Sequence, residues 1–228
     1  MSQTIINQTK VVDKIVAGVL QAITEGRLRP GDKLAEQRLG LVYGVSRTIA
    51  RQALHQLAMR KLVTLEPARG AFVSLPSPKE AEQVFAVRRM LEVESIREFA
   101  IQHTPSALRT LKAHIKQEQS ALKANDVPLR TQLLADFHSL LAKLSGNAVL
   151  AETLQELTTR CSLITLVYQT AVEAEHSSHE HEEILSAIAA RDANLAANLM
   201  DVHLRHVEAS LRVQPHPASG LALNLLAL

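Results

Sequence analysis

Gly44-Val45-Ser46-Arg47-Thr48-Ile49-Ala50-Arg51-Gln52-Ala53-Leu54, residues 44–54, is the stretch that decides how the first third of this 228-residue chain folds. Glycine at 44 ends a short helix over Ala35–Tyr43. Ser46 then caps a second helix reaching about Lys61, because its hydroxyl accepts from amides that the first turn leaves unpaired. On this second helix Ile49, Ala53, Leu54 and Leu57 recur at helical spacing and form the docking stripe. Arg47 and Arg51, four apart, share another face with Thr48 beside them. Upstream, Thr9–Glu25 carries Val12, Ile15, Val16, Val19, Leu20 and Ile23 at the same spacing, with Gly26 placed as a left-handed terminator. Arg29-Pro30-Gly31-Asp32 reads as a turn. Downstream, Val63–Leu65 and Ala71–Leu75 alternate around Pro67-Ala68-Arg69-Gly70, the pattern of a hairpin. Three helices and a β-hairpin in this order predict a winged helix-turn-helix.

Past this point the pattern changes. Pro76-Ser77-Pro78 is read as a stop, since proline removes an amide donor and restricts its predecessor. Helices are expected near Lys79–His103, Pro105–Asn125, Pro128–Ser145, Ala148–Thr170, Ser178–Arg191 and Ala193–Val213. Between Gly70 and Gly220 only Gly146 occurs, which favours a bundle over a sheet. The fold class is mainly α: a winged helix-turn-helix over 1–75, a linker at 76–79, and a bundle of six to seven helices over 80–213. An apolar tail, 214–228, follows. Leu221–Leu228 is too short to span a bilayer and reads as a cap for an apolar groove or partner, or as frayed chain.

Composition narrows the function classes. Aromatic residues are only 3%, which argues against a large β-sandwich or barrel. The single cysteine, Cys161, excludes an internal disulfide and a cysteine-based zinc cage, and suits a buried small hydrophobe. With no charged-then-apolar leader and no long apolar run, a cytoplasmic protein that does not meet the membrane is expected. The net charge of +2 conceals an asymmetry. Residues 1–75 hold eleven Lys/Arg against five Asp/Glu, whereas the remainder hold fourteen against eighteen. Nine of the ten histidines lie in the second part, His55 alone in the first. A basic module facing a polyanion and an acidic module with another task is the expected division of labour. In such a module Arg47 and Arg51 would reach guanine edges or phosphates in the major groove, and Arg69-Gly70 at the wing tip the minor groove.

The run Gly26-Arg27-Leu28-Arg29-Pro30-Gly31-Asp32-Lys33-Leu34, followed by Glu36, Leu39, Val45-Ser46-Arg47-Thr48, Arg51-Gln52-Ala53-Leu54, Leu57, Leu62-Val63, Pro67 and Arg69-Gly70-Ala71-Phe72-Val73, resembles the GntR family of bacterial transcription regulators. The likeness covers residues 10–75. It implies DNA contacts by Arg47 and Arg51 and, at the wing tip, by Arg69-Gly70; Ser46 and Thr48 beside them are further candidate DNA-binding residues. Where relatives often read Glu-Arg-Glu this chain reads Glu36-Gln37-Arg38, so Gln37 stands at a frequent DNA-contacting arginine and shifts the expected operator preference.

Residues 80–212 resemble the FadR-type effector domain, often called FCD. The carriers are Val87-Arg88-Arg89-Met90-Leu91-Glu92, Asp136-Phe137-His138 with Ser145-Gly146-Asn147, His181-Glu182-Glu183-Ile184-Leu185, and Arg191-Asp192 through His203-Leu204. Many such domains hold a divalent metal with three histidines and an aspartate, which maps the ligands onto His138, His181 and His203, for Zn²⁺ or Ni²⁺. The family's aspartate position is Leu134 here. Asp136 lies two residues before His138, about 200° around a helix, and does not replace it. Three protein ligands and a lowered affinity follow. The alternative is a pocket whose histidines bind an anionic effector without metal. Arg88, matching the family's pocket-facing arginine, is the candidate carboxylate anchor. Arg160 is a second candidate from its place in an apolar helix. His176, His179, His206 and His216 are read as surface residues, with 176–181 as a solvated histidine-rich loop.

The resulting expectation is a homodimeric regulator that binds a palindromic operator, as a repressor, and responds to a small carboxylate. A metal sensor is the nearest alternative. A metal-dependent hydrolase is disfavoured, because no HExxH helix, general base or glycine-rich phosphate loop is present.

Overall fold

The computed structural model describes residues 2–24, 27–168 and 173–210. Two compact units result, one running to Pro76 and the other beginning at Ser77. The first contains α1 (Ser2–Thr24), β1 (Lys33–Leu34), α2 (Glu36–Tyr43), α3 (Arg47–Met59), β2 (Val63–Glu66) and β3 (Gly70–Val73). The second contains α4 (Pro78–Gln102), α5 (Pro105–Lys123), α6 (Val127–Leu144), α7 (Ala148–Tyr168), α8 (Glu173–Ala189) and α9 (Ala193–Ala209). The terminator expected at Gly26, the ends at Thr170 and Val213, His216 and the apolar tail lie outside the described residues.

In the first unit α1 and α2 pack on α3. Ile15, Val19 and Ile23 of α1, Leu39 of α2 and Leu54 and Leu57 of α3 are all at most 2% exposed, so the stripes read from the sequence are buried. The Ser46 hydroxyl accepts from the Ile49 amide, as an N-cap does. The tight junction between α2 and α3 depends on Gly40: Val45 N–H donates to the Gly40 carbonyl at 2.9 Å. A Cβ on Gly40 would sit 2.9 Å from the Val45 carbonyl oxygen. The wing is larger than the predicted hairpin. Leu34 pairs with Ala71 and Lys33 with Phe72, adding β1 to give the antiparallel order β1-β3-β2. A two-residue strand has no periodicity to read. The Arg29–Asp32 turn holds β1 on β3, with Gly31 N–H donating to Val73 O at 2.9 Å.

The expected linker at 76–79 is shorter in the structure. Ser77 accepts from the Glu80 amide at 3.1 Å and Pro78 is already the first residue of α4. Proline is well placed there, because the amide it lacks would have had no partner within the helix. Thr104, Asp126 and Asp192 cap α5, α6 and α9 in the same way. The expected loop around 176–181 is also corrected: those residues are inside α8, which begins at Glu173 rather than near Ser178. The bundle runs α4 along α9, α9 along α8, and α5 against α6 and α8. Ile96, Phe99, Leu111, Ile115, Phe137, Ile184, Met200 and Leu204 form its main core. Ala81, Val84, Phe85, Cys161 and Ile164 form a second cluster, with Cys161 buried as expected.

Candidate functional site

The first unit presents a cleft in which Lys33, Arg47 and Arg51 stand with Glu36 and Glu66. About 540 Å³ of space lies between α3 and the wing, lined among others by Lys33, Gln37, Arg47, Arg51, His55 and Gly70. Arg47, Thr48 and Arg51 are all exposed on the first turns of α3, because their opposite face is the stripe that docks the helix. Arg51 is held in a two-pronged ion pair, Nε to Glu36 Oε1 at 2.6 Å and Nη2 to Oε2 at 2.9 Å. These bonds, with the nearby charge of Arg51, lower the Glu36 carboxyl's pKa. Arg69 pairs with Glu66 and lies over the Phe72 ring at 5.3 Å, with Lys33 Nζ over the same ring at 5.8 Å. Gly70 has φ +104°, a backbone setting open to glycine but strained for side-chain-bearing residues, which lets β3 start directly after the wing turn. Ser46 does its work as a cap. Lys33 and His55 were not singled out by sequence; a lysine in a two-residue strand and a histidine past the second turn of α3 carry no motif.

The second unit converges on buried histidines. His138 on α6, His181 on α8 and His203 on α9 are 6%, 1% and 1% exposed. Their Nε2 atoms face one another, 3.3 Å from His203 to His138 and 3.3 Å from His203 to His181. Each Nδ1 is turned outward onto a different carboxylate. His138 Nδ1 lies 2.6 Å from Glu92 Oε2, His203 Nδ1 2.7 Å from Glu180 Oε2, and His181 Nδ1 3.0 Å from Glu118 Oε2. Phe137 stacks on His181 at 3.8 Å and fixes its plane.

This pattern sets the tautomers. A carboxylate only accepts, so each Nδ1 carries a proton, and a ring that is neutral offers its Nε2 lone pair to the common centre. Burial pushes the pKa of His138 down to about 3 and that of His203 down to about 4, against the pull of Glu92 and Glu180, so both rings are neutral at pH 7. Burial alone would raise the Glu92 carboxyl, but Arg88 and His138 together hold it well below its usual range. Three imidazoles with their Nε2 atoms converging and carboxylates behind them are a donor set of the kind that would suit a divalent transition metal. Bonds of about 2.1 Å to one ion would put ligand nitrogens about 3.0–3.4 Å apart, the spacing seen from His203 to each of the other two. Among the described residues the converging set has three imidazoles and no carboxylate. Asp136 is engaged by Gln132 instead, at 3.4 Å.

Arg88 belongs to this centre. Its Nε donates to Glu92 Oε1 at 2.6 Å and its Nη1 to Cys161 Sγ at 2.9 Å, so a chain of contacts runs Arg88–Glu92–His138. Arg88 is 3% exposed, and among the described residues its Nη2 is buried without a partner. Arg160 is placed differently: it pairs with Glu80 at the start of α4, so part of its charge is already satisfied. Glu92, Glu118 and Glu180 were missed as members of the centre. An acidic residue on a buried helix face was the available signal, but its partners lie 46, 63 and 23 residues away in sequence.

A winged helix-turn-helix with outward arginines on α3, followed by a separate helical unit built around a buried polar centre, is the architecture of a DNA-binding transcription regulator. Residues 11–73 match "Bacterial regulatory proteins, gntR family" and residues 83–206 match "FCD domain". The chain belongs to the GntR family and carries an FCD effector domain. It is 30% identical to the "Uxu operon regulator" of Haemophilus influenzae, over 92% of this chain and 84% of that one. It is 24% identical to the "HTH-type transcriptional repressor RspR" of Escherichia coli, over 92% and 93%. It is 28% identical to LutR of Bacillus subtilis, over 82% and 94%. The fold is shared with a GntR regulator from Rhodococcus sp. RHA1 (TM-score 0.79, 24% identity, 87% and 95% covered) and with E. coli McbR/YncC (TM-score 0.77, 20% identity, 87% and 95% covered). No helix among the described residues is long and apolar enough to cross a membrane.

Proposed function

We propose that this chain is a cytoplasmic, homodimeric repressor of a catabolic operon. Its affinity for a palindromic operator responds to a small carboxylate bound beside a divalent metal in the helical unit. The carrying observation is the buried imidazole trio with a carboxylate on every Nδ1, next to an arginine with an unpartnered buried amino group. His138, His181 and His203 would hold the ion, which would supply a Lewis-acidic anchor for one end of the effector. Arg88 would receive an effector carboxylate on its free Nη2. Arg160, paired with Glu80, would be the weaker candidate for an effector contact. The names of the uxu-operon and RspR relatives support reading the chain as an operon-specific repressor.

On the DNA side, Arg47 and Arg51 would read the major groove from α3, with Thr48 and Gln37 beside them. Ser46 would hold the first turn to a phosphate, and Arg69 with Gly70 would enter the minor groove. Effector binding changes operator affinity only if the effector prefers one of two arrangements of the dimer.

Selection of duplexes from a random pool by the full chain should return a palindrome. Fluorescence anisotropy on that duplex should then report weaker binding when a small carboxylate is added to the Zn²⁺-loaded protein, and no change when it is added to chelated protein. A full response to Zn²⁺ alone would instead establish a metal sensor. A response to carboxylate that survives chelation would favour the metal-free pocket.

A further inference from the structure

Beside the buried trio, the same helices bring together a second set of donors. His176 and Glu180 are four apart on α8 and share a face, and His206 reaches them from the last turns of α9. His176 Nε2 lies 3.3 Å from Glu180 Oε1, and His206 Nδ1 contacts the same oxygen. The two rings are 5.6 Å apart between centroids. One ligand atom from each residue lies within 4.8 Å of the other two. The histidine side chains are 63% and 51% exposed while Glu180 is 10% exposed, so the cluster has a fixed floor and an open, solvent-side approach.

The geometry points to a second divalent-metal site, made by His176, Glu180 and His206, that takes a borderline ion such as Zn²⁺ or Ni²⁺ from solution. Two imidazoles and one carboxylate form a mixed nitrogen–oxygen set suited to such ions, and an i,i+4 pair on one helix with a third ligand from a neighbour is a geometry that zinc helices use. Two exposed side chains converge on a single carboxylate oxygen, an arrangement that a chelated cation would hold at little further cost in side-chain freedom. The ion keeps open coordination positions for water or an anion, since only one side is occupied by protein.

Glu180 ties this site to the inner one. Its Oε2 accepts from His203 Nδ1 at 2.7 Å while its Oε1 belongs to the outer set. A cation on Oε1 withdraws charge from Oε2, makes it a poorer acceptor and so makes His203 a poorer ligand. The outer ion therefore binds more weakly once the inner one is in place. This coupling rests on the inner site reading of the proposed function; the outer site does not.

Isothermal titration of the metal-free full chain with Zn²⁺ tests both. Wild type should show a tighter and a weaker equivalent. H176A/H206A should lose the weaker and keep the tighter, while H138A/H181A should do the reverse. H179A, which removes an exposed α8 histidine paired with Glu183 at 3.8 Å, should keep both. The outer site is overturned if H176A/H206A titrates like wild type, if H179A strips the weaker equivalent equally, or if the weaker equivalent fills only at millimolar Zn²⁺. A weaker equivalent that survives in H138A/H181A, with no tighter equivalent ever seen in wild type, would remove the inner reading and leave the outer site standing. Far-ultraviolet circular dichroism of each variant separates lost binding from lost fold.

Discussion

The two units use charge in opposite ways. On α3 and the wing, Arg51 and Arg69 stand in water, each resting on one glutamate of its own neighbourhood. Around His138, the charges are inside the protein and every member depends on another: Arg88 on Glu92, Glu92 on His138, His203 on Glu180. An exposed pair is screened and contributes little, so its residues are free to be judged by what they bind. A buried network stands or falls together, because removing one member leaves its partner charged and unsolvated. At these exposed arginines the first unit therefore permits function to change without stability. The second does not.

The largest effect should come from Glu92→Leu, which leaves Arg88 buried without its counter-charge and His138 without its Nδ1 acceptor. A loss of about 3–5 kcal/mol in urea-induced unfolding of the helical unit is expected. A loss below about 1 kcal/mol would mean that the network is not mutually dependent and would erase the contrast. Next, Arg47→Ala should weaken binding to the selected operator by about 1–3 kcal/mol in anisotropy titrations while leaving the unfolding curve in place. Wild-type affinity would remove α3 as the reading element.

Ser46→Ala removes the cap that accepts from Ile49 and should lower stability of the first unit by about 0.5–2 kcal/mol, read as a shift in its unfolding midpoint. Ser46→Asp should restore most of that stability and still weaken DNA binding, since it places a negative charge beside phosphate. The smallest effect belongs to Glu36→Gln. The Arg51 pair it breaks is mostly exposed, so thermal unfolding should not move measurably, and a destabilisation as large as that of Ser46→Ala would show the surface pair to be structural after all.

Much of the first unit was legible because its signals are local. Ser46, Gly44 and the Arg29–Asp32 turn act within four residues, and Ile49, Ala53 and Leu57 announce the buried face of α3 by spacing alone. β1 was not legible: two residues hold no period, and Lys33–Leu34 becomes a strand only because Phe72 and Ala71 offer it hydrogen bonds. In the second unit the helices were visible, but two boundaries were misplaced by proline and serine. Pro76-Ser77-Pro78 suggested a break, yet Ser77 capped a helix that starts on Pro78. Ser178 suggested a start, yet it lies inside α8.

The sequence by itself determined the two-part division, the helical composition, the outward arginines of α3, and the three histidines that its family resemblance marked. These follow from short-range spacing, from charge and from residue type. Only the tertiary structure decided that Glu92, Glu118 and Glu180 stand behind those histidines, that Arg88 leaves an amino group unpartnered, and that His176 and His206 share one oxygen of Glu180. Each of those facts joins separate helices or separate turns of them. The packing of α4, α5, α6, α8 and α9 sets these distances, and no periodicity within a single helix encodes them.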